Sequence, residues 1–395
     1  KMVVNVVKQI RLTLGLGLIA TACVSPASPP SRLTTPKSTD AQSVAKGSRP
    51  AAPSVRIALP APSSQPTIND GARAAPPEMV TALRSLWASF PGKAGIAVMK
   101  TDGSWMVSYR GDEPMPQQSV SKLWVSIAVM DAVDKGKLSL DDSVTLRKSD
   151  MTVFHQPIAG LIGPNGYTTT IASLLKRAMT QSDNTANDFL MRRVGGPNAI
   201  RELIASKRLG AIRFGSGERH FQAATAGLVW KPEYSYSGAF NSARAALSPT
   251  ARKAAMDKYV SDPMDGATPA AIARSLARLK RGELLSAQST RYLINLMEST
   301  ETGRARLKAG VPAGWKLAHK TGTGQDLRSR TAGFNDVGIM IAPDGTSYAV
   351  AVMIADTTAP VPARQKLIQQ VASVVAANHK SSDYASRGGQ RARGA

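Results

Sequence analysis

The sequence predicts an α/β fold of the α+β type, with one antiparallel sheet formed from both chain ends, flanking terminal helices and an inserted all-helical lobe. Three observations lead to this prediction. β-type runs lie near both ends of the folded region, helical runs fill its middle, and the first two strands need partners to satisfy their edges. Only the C-terminal strands can supply those partners, so the lobe is expected to interrupt the sheet.

The folded region begins with a predicted helix and a hairpin. Residues 78–89 have a helical pattern, and two β-type runs follow at 94–100 and 104–109. The Thr-Asp-Gly sequence between the runs contains Asp-Gly, which is a strong hairpin signal.

Helices are predicted wherever apolar residues recur at helical spacing. The first, 120–133, is apolar enough to be buried and carries Ser119 at its N-terminus. The others are 170–180, 185–194, 197–206, 269–281 and 286–300. Residues 211–265 are mixed in composition and rich in aromatic side chains, and they predict a long ordered loop with a single helix near 249–259.

Strand patterns return near the C-terminus, at 315–320, 333–342 and 348–355, and a helix is predicted at 362–377. These runs complete the predicted sheet and its second flanking helix.

Four segments are predicted along the 395 residues. Residues 1–23 have the layout of a secretory signal, with a basic start, an apolar run and small residues. Residues 24–75, rich in Pro, Ser, Ala and Thr, predict a disordered tether, 76–378 the folded domain, and 379–395 a disordered basic tail. We therefore expect a periplasmic protein, in which Cys23 is either the lipid-modified residue of a membrane-anchored lipoprotein or part of a discarded signal.

The formal net charge of +23 is spread over the tether, the domain and the tail. No basic run is interleaved with aromatic residues, so nucleic acid is not an expected partner. The charge indicates either a loose attraction to anionic envelope polymers or simple solubility, and we expect a monomer. No His, Cys, Asp and Glu cluster has metal-ligand spacing and no Gly-rich loop follows a strand, so neither a metal nor a cofactor is expected.

Three short motifs carry the candidate chemistry. Ser119 and Lys122 lie three residues apart on a helix, so the ammonium and the hydroxyl share one face. This pattern is weak alone, since it recurs at 43–46 and 173–176. Ser182-Asp183-Asn184 at a helix junction and Lys320-Thr321-Gly322 on a predicted strand follow in order, and the three together are specific.

This triplet is the signature of class A β-lactamases and penicillin-binding proteins. Four further segments, 174–186, 195–197, 266–285 and 302–324, are similar to class A segments. The chain therefore resembles the class A β-lactamases, which implies a serine hydrolase with a β-lactamase/transpeptidase-like fold.

The resemblance implies a role for each motif residue in acyl transfer. Ser119 would attack a carbonyl to form an acyl-enzyme, Lys122 would be base or proton relay, and Ser182 would pass a proton to the leaving nitrogen. The backbone N–H groups of Ser119 and Thr323 would form the oxyanion hole.

Substrate binding is implied for the remaining motif residues. Asn184 would hold the side-chain amide of the substrate, while Lys320 and Thr321, with Gly322 beside them, would attract its carboxylate.

Deacylation in class A enzymes depends on a Glu that follows an Arg by five residues and precedes an Asn by four. Arg213, Glu218 and Gln222 reproduce these intervals, so Glu218 is the candidate base, holding a water with Gln222. Gln stands where the family has Asn, and the interval to Thr268 is several tens of residues longer than usual, so the loop is enlarged.

Alternatives to this base stay open. Glu218 could instead be a surface carboxylate paired with Arg213 or Arg219, and Glu233 is a weaker rival. Near the third motif, His319 and Arg328 or Arg330 are each predicted either to bind a substrate carboxylate or to be exposed.

The leading functional hypothesis is a serine β-lactamase that hydrolyses penicillins or cephalosporins through acyl-Ser119. The alternative is a D-alanyl-D-alanine carboxypeptidase or other penicillin-binding serine hydrolase of the envelope, which acts on a cell-wall peptide. A third hypothesis is a non-catalytic envelope-binding module of the same fold.

Overall fold

The computed structural model describes residues 74–236 and 238–379. The predicted signal at 1–23 with Cys23, nearly all of the predicted tether at 24–75 and nearly all of the predicted tail at 379–395 lie outside the described residues.

The described part contains one five-stranded sheet and two small two-stranded sheets. Its strands are β1 (Lys93–Lys100), β2 (Met106–Tyr109), β3 (Ser143–Leu146), β4 (Tyr167–Thr170), β5 (Lys316–Thr323), β6 (Asp326–Leu327), β7 (Arg330–Thr331), β8 (Phe334–Ile341) and β9 (Ser347–Asp356). Its α-helices are α1 (Pro77–Ser89), α2 (Lys122–Asp134), α3 (Ile171–Lys176), α4 (Asn184–Arg193), α5 (Gly196–Ser206), α6 (Glu218–Ala226), α7 (Ala239–Ala246), α8 (Pro249–Ser261), α9 (Pro269–Lys280), α10 (Ala287–Glu298), α11 (Leu307–Gly310) and α12 (Val361–Ala377).

The main sheet has the order β2-β1-β9-β8-β5, and every neighbouring pair is antiparallel. β1 pairs with β9 near the opposite end of the domain, with Ala97 opposite Ala351. The predicted split sheet is therefore confirmed.

Alternating side chains of the sheet enter two separate cores. Ile96 and Val98 of β1 pack with α1 and α12, whereas Ala97 and Met99 join the core that contains α2 and α9. This period of two is the geometry of a β-strand, in which successive side chains point to opposite faces of the sheet. Because both faces are covered, every residue of β1 between Ala94 and Met99 is buried.

The lobe between β2 and β5 differs from the prediction in two regions. It is not all-helical, because it contains the antiparallel pair of strands β3 and β4. Residues 211–265 are not a long loop with one helix, because α6 and α7 precede the predicted helix, which is α8. The buried face of α6 includes Glu218, Gln222 and Thr225, so polar side chains occupy the helical spacing at which apolar residues were sought. α7 buries a single large side chain, Phe240, and is too short to show a period.

Two smaller differences affect the site. The helix predicted from residue 120 begins with a 3-10 turn, Gln118–Ser121, and becomes α-helical at Lys122. The helix predicted at 170–180 changes after Lys176 into a π-helical turn, Arg177–Gln181, which ends at Ser182.

Candidate active site

The turn that carries Ser119 is fixed by buried hydrogen bonds on both sides. The Gln117 side chain accepts from Trp124 Nε1 at 2.6 Å and donates to the backbone oxygen of Asp265 at 2.5 Å. Gln118 has a φ of 53°, a left-handed conformation that is uncommon outside glycine. The turn is held in this conformation because the Asp265 carboxylate accepts from Gln118 N at 2.6 Å.

A tyrosine completes this support beneath the nucleophile. Tyr259 of α8 accepts from Gln118 Nε2 at 2.7 Å and donates to Asp265 Oδ1 at 3.0 Å. Burial raises the pKa of Asp265 to about 7. Neither Tyr259 nor Asp265 was a candidate at the sequence level, because no local pattern connects them with Ser119.

Lys122 connects the candidate nucleophile with the candidate base. Its side chain is fully buried, and Nζ donates to Ser119 Oγ at 2.8 Å, to Asn184 Oδ1 at 2.8 Å and to Glu218 Oε1 at 2.5 Å. Three acceptors match the three protons of an ammonium group. The structure thus brings together four of the residues predicted from the motifs.

Glu218 is a buried residue, with 4% of its surface exposed. Its Oε2 accepts from Gln222 Nε2 at 3.1 Å, and the two residues are one turn apart on α6. Arg213 pairs with Asp262, and Arg219 donates to the backbone oxygens of residues 149 and 151. The alternative of a surface carboxylate paired with either arginine is therefore wrong.

Ser182 and Lys320 form a second hydroxyl and ammonium pair. Ser182 has a φ of 61° at the end of the π-helical turn, and Asp183 caps α4 by accepting from Ala186 N at 2.9 Å. Lys320 Nζ donates to Ser182 Oγ at 2.9 Å and is fully buried. Burial, with the positive charge of Lys122, holds the pKa of Lys320 well below its usual value.

The end of β5 lies against Arg306, a residue that sequence reasoning missed. Its guanidinium donates to Gly322 O at 3.0 Å and to Thr323 Oγ1 at 2.5 Å, and burial lowers its pKa to about 10. Thr321 Oγ1 lies 2.7 Å from Thr302 Oγ1. The only sequence signal was that Arg306 falls in the segment 302–324.

Gly322 is required by a close backbone approach. A Cβ at this position would lie 2.3 Å from the backbone oxygen of Gln117, closer than atoms can approach. The third motif can therefore lie against the nucleophile turn only with glycine here.

Two predictions next to this motif were wrong. His319 neither faces a substrate nor is exposed, because it is buried and its Nδ1 lies 2.9 Å from Asp336 Oδ1. Arg330 is committed to the carboxylates of Asp257 and Asp356. Arg328 is exposed.

A cleft of about 460 Å³ brings these groups to one surface. Six predicted residues line it, namely Ser119, Ser182, Asn184, Gln222, Thr321 and Thr323. Lys122, Glu218 and Lys320 lie behind them, each hydrogen-bonded to a lining side chain. The rival Glu233 is exposed on a 3-10 turn and does not line the cleft.

The rest of the lining was not predicted from the sequence. Besides Arg306 and Thr302, it includes Phe154, His155, Arg244 and Gln325. Within residues 74–236 and 238–379, no group of His, Cys, Asp and Glu is arranged to hold a metal ion. None of the helices in those ranges has the length and apolar character needed to span a bilayer.

Comparison with known proteins identifies the family. A family model described as "Beta-lactamase enzyme family" matches residues 78–379. The chain is 30% identical to the extended-spectrum β-lactamase PER-1 of Pseudomonas aeruginosa over 279 residues, 70% of this chain and 80% of that protein. It is 26% identical to β-lactamase VEB-1 of the same organism over 283 residues, 71% of this chain and 84% of the relative.

Solved structures give the same result. The crystal structure of the TLA-1 extended-spectrum β-lactamase superposes with a TM-score of 0.63 at 26% identity, covering 76% of this chain and 97% of that chain. A β-lactamase from Chitinophaga pinensis superposes with a TM-score of 0.62 at 26% identity, covering 75% and 97%. The chain belongs to the class A β-lactamase family of serine hydrolases.

Proposed function

We propose that this protein is a β-lactamase that opens the lactam ring of penicillins and cephalosporins through an acyl-Ser119 intermediate. The observation that carries the proposal is the buried ammonium of Lys122, which contacts the Ser119 hydroxyl and the Glu218 carboxylate at once. Lys122 therefore connects the nucleophile of acylation, Ser119, with the proposed base for hydrolysis of the acyl-enzyme, Glu218. The printed names of the relatives support the same substrate class.

Acylation begins when Ser119 Oγ attacks the lactam carbonyl carbon. Its proton leaves through Lys122 Nζ, which lies 2.8 Å from Ser119 Oγ and 2.5 Å from Glu218 Oε1, so the pair acts as base and relay. The backbone N–H groups of Ser119 and Thr323 stabilise the oxyanion, and both residues line the same cleft.

The C–N bond of the lactam then breaks, and its nitrogen takes a proton from Ser182 Oγ. The proton that left Ser119 replaces it on Ser182, so that Glu218 is a carboxylate again. Lys320 Nζ, 2.9 Å away, donates toward the hydroxyl that loses this proton. The low dielectric around the fully buried Lys320 strengthens its attraction for the ring carboxylate of the substrate. Thr321, Thr323 and Arg306 line the same part of the cleft.

Deacylation requires a water activated by Glu218. The water oxygen attacks the acyl carbon, its proton passes to Glu218, and the ester bond to Ser119 breaks as that oxygen regains a proton through Lys122. Gln222 supports this role, because its Nε2 donates to Glu218 Oε2 and its side chain lines the cleft. A carboxylate in this position favours rapid hydrolysis over the persistent acyl-enzyme of a penicillin-binding peptidase.

A time course with a chromogenic cephalosporin and a fluorescent penicillin tests the proposal. The parent is expected to turn over both, Glu218→Ala to trap an acyl-enzyme visible by mass spectrometry, and Ser119→Ala to do neither. Ser121→Ala is the matched control, since it removes the neighbouring hydroxyl, which donates to Gln118 O at 2.8 Å. Stoichiometric labelling of Ser119 without turnover in the parent would instead indicate a penicillin-binding peptidase.

We propose the segment organisation as part of this function. The folded domain at 76–378 is placed in the periplasm by a signal at 1–23, and the segments 24–75 and 379–395 serve as tether and basic tail. The supporting observations are the composition of these segments and the agreement of the family match, 78–379, with the folded region. The mass of the mature N-terminus distinguishes a lipid-modified Cys23 from a cleaved signal.

A further inference from the structure

One rim of the cleft is formed by residues outside the catalytic motifs. Arg244 lies on α7, within the enlarged stretch that separates Glu218 from Thr268, and Phe154 belongs to the segment between β3 and β4. Both side chains line the cleft that contains Ser119.

Arg244 brings a positive charge to this rim, and Asp326 is an acidic side chain of the same lining. Nη1 donates to Gln325 Oε1 at 2.9 Å, and among the described residues no carboxylate lies within ion-pair distance of the guanidinium. Asp326 is near enough to raise the pKa of Arg244, although partial burial and the charge of Arg252 outweigh it and lower that pKa. The Asp326 carboxylate itself accepts from Thr331.

Phe154 is held beside this guanidinium in a strained conformation. Its φ is 64°, which is rare for a bulky side chain, and 40% of its surface is exposed. Its ring packs edge-on against Phe240 of α7 with centroids 4.9 Å apart, and the Arg244 Cζ lies 5.8 Å from its centroid. A strained backbone conformation persists only where the surrounding contacts stabilise it, and such residues cluster at functional sites.

A chain of hydrogen bonds connects Arg244 with the deacylation machinery. Gln325 Nε2 donates to Gln222 O at 2.9 Å and to Gln222 Oε1 at 3.0 Å, and Gln222 donates to Glu218. Arg244 is therefore associated with the side of the cleft that contains Gln222 and Asn184, the residue proposed to hold the side-chain amide of the substrate. Lys320 and Arg306, which lie where the ring carboxylate is proposed to bind, hydrogen-bond instead to Ser182 and Thr323 respectively.

We propose that Arg244, together with the exposed ring of Phe154, binds an anionic group on the acyl side chain, so that the enzyme favours β-lactams that carry a carboxylate there. This inference rests on the proposed function. It gives the enlarged stretch a role in substrate selection: α7 supplies the cation and, through Phe240, supports the aromatic surface beside it.

Two penicillins that differ by a single group test this proposal. α-Carboxybenzylpenicillin is benzylpenicillin with one carboxylate added to the acyl side chain, and the ratio of their kcat/KM values isolates recognition of that carboxylate. Arg244→Gln is expected to lower the ratio about three- to fivefold, the upper part of the range for a partly exposed ion pair. Arg244→Lys is expected to give a ratio between those of the parent and Arg244→Gln, since lysine keeps the charge but lacks the planar donor geometry.

Arg252→Gln is the matched control, because it removes the same charge from the neighbouring helix α8 without changing a lining residue of the cleft. It is expected to leave the ratio within twofold of the parent. A purely structural role of Arg244 would slow both penicillins equally through Gln325 and Gln222, and an unchanged ratio in Arg244→Gln would overturn the inference while the proposed function stands. If the parent hydrolyses neither penicillin, the proposed function is wrong and the inference falls with it.

Discussion

Asp265→Asn tests the buried carboxyl group that holds the turn before the nucleophile. Raising a carboxyl pKa from 3.8 to about 7 corresponds to about 4 kcal/mol of folding free energy. Between these pH values the folded state binds more protons than the unfolded state. The parent therefore loses stability as the pH rises from about 4 to above 7, by at most this amount from this group.

The asparagine variant cannot ionise, so this contribution disappears. The Oδ1 of the asparagine can still accept from Gln118 N. Its Nδ2, however, is a donor that faces the Tyr259 hydroxyl, which already accepts from Gln118 Nε2 and loses the carboxylate to which it donated. This mismatch lowers stability by about 1 kcal/mol at acidic pH. The variant is therefore expected to be less stable than the parent near pH 4 and more stable near pH 8.

Urea unfolding followed by tryptophan fluorescence at several pH values between 4 and 8 measures the effect. Asp262→Asn is the matched control, because its carboxylate is 76% exposed and its removal should leave the pH slope unchanged. Parallel curves for the parent and Asp265→Asn would refute the assignment of a raised pKa to this carboxyl group.

Three further predictions follow from the site and its supports. Glu218→Gln should show a burst of one acylation equivalent and then turnover reduced about 10²- to 10⁴-fold, since a general base contributes that much. If stopped-flow traces show the burst slowed as much as the turnover, Glu218 does not act specifically in deacylation. Gly322→Ala should lower both kcat/KM and the melting temperature, because its Cβ would lie 2.3 Å from Gln117 O. An unchanged melting temperature would show that the nucleophile turn can move to accommodate the methyl group. Phe240→Ala should lower the free energy of unfolding by about 3–5 kcal/mol, measured by chemical denaturation. If the amides of α7 stay as protected from hydrogen exchange as in the parent, Phe240 does not support this helix.

The sheet and the motif residues were predictable from the sequence because local patterns encode them. Two β-type runs and the Asp-Gly turn between them define β1 and β2, and the unpaired edges of that hairpin require the C-terminal strands. The order of the three motifs predicted which side chains would meet, and the structure brings Lys122 to Ser119 and Lys320 to Ser182.

The parts that escaped prediction depend on contacts between distant residues. α6 was missed because its buried face includes the polar residues Glu218, Gln222 and Thr225, which interrupt the period of apolar residues. No local sequence pattern marks Arg306, Arg244 or Asp265. Their roles depend on hydrogen-bond partners that become neighbours only in the folded chain. Burial of a charged side chain is a tertiary property that composition and spacing do not reveal.

The pairing of β1 with β9 has a consequence for the order in which the molecule can form. Ala97 and Ala351, opposite each other in the sheet, are separated by about 250 residues of chain. Contacts of such long range form slowly, and the first hairpin has no neighbour on its inner edge until nearly the whole domain has been synthesised. The nucleophile turn, whose Gln117 O accepts from Asn335 of β8 at 3.0 Å, is therefore completed only after the last strands arrive. A polypeptide with this topology remains incompletely folded while it is being synthesised, which is compatible with the export proposed for this protein.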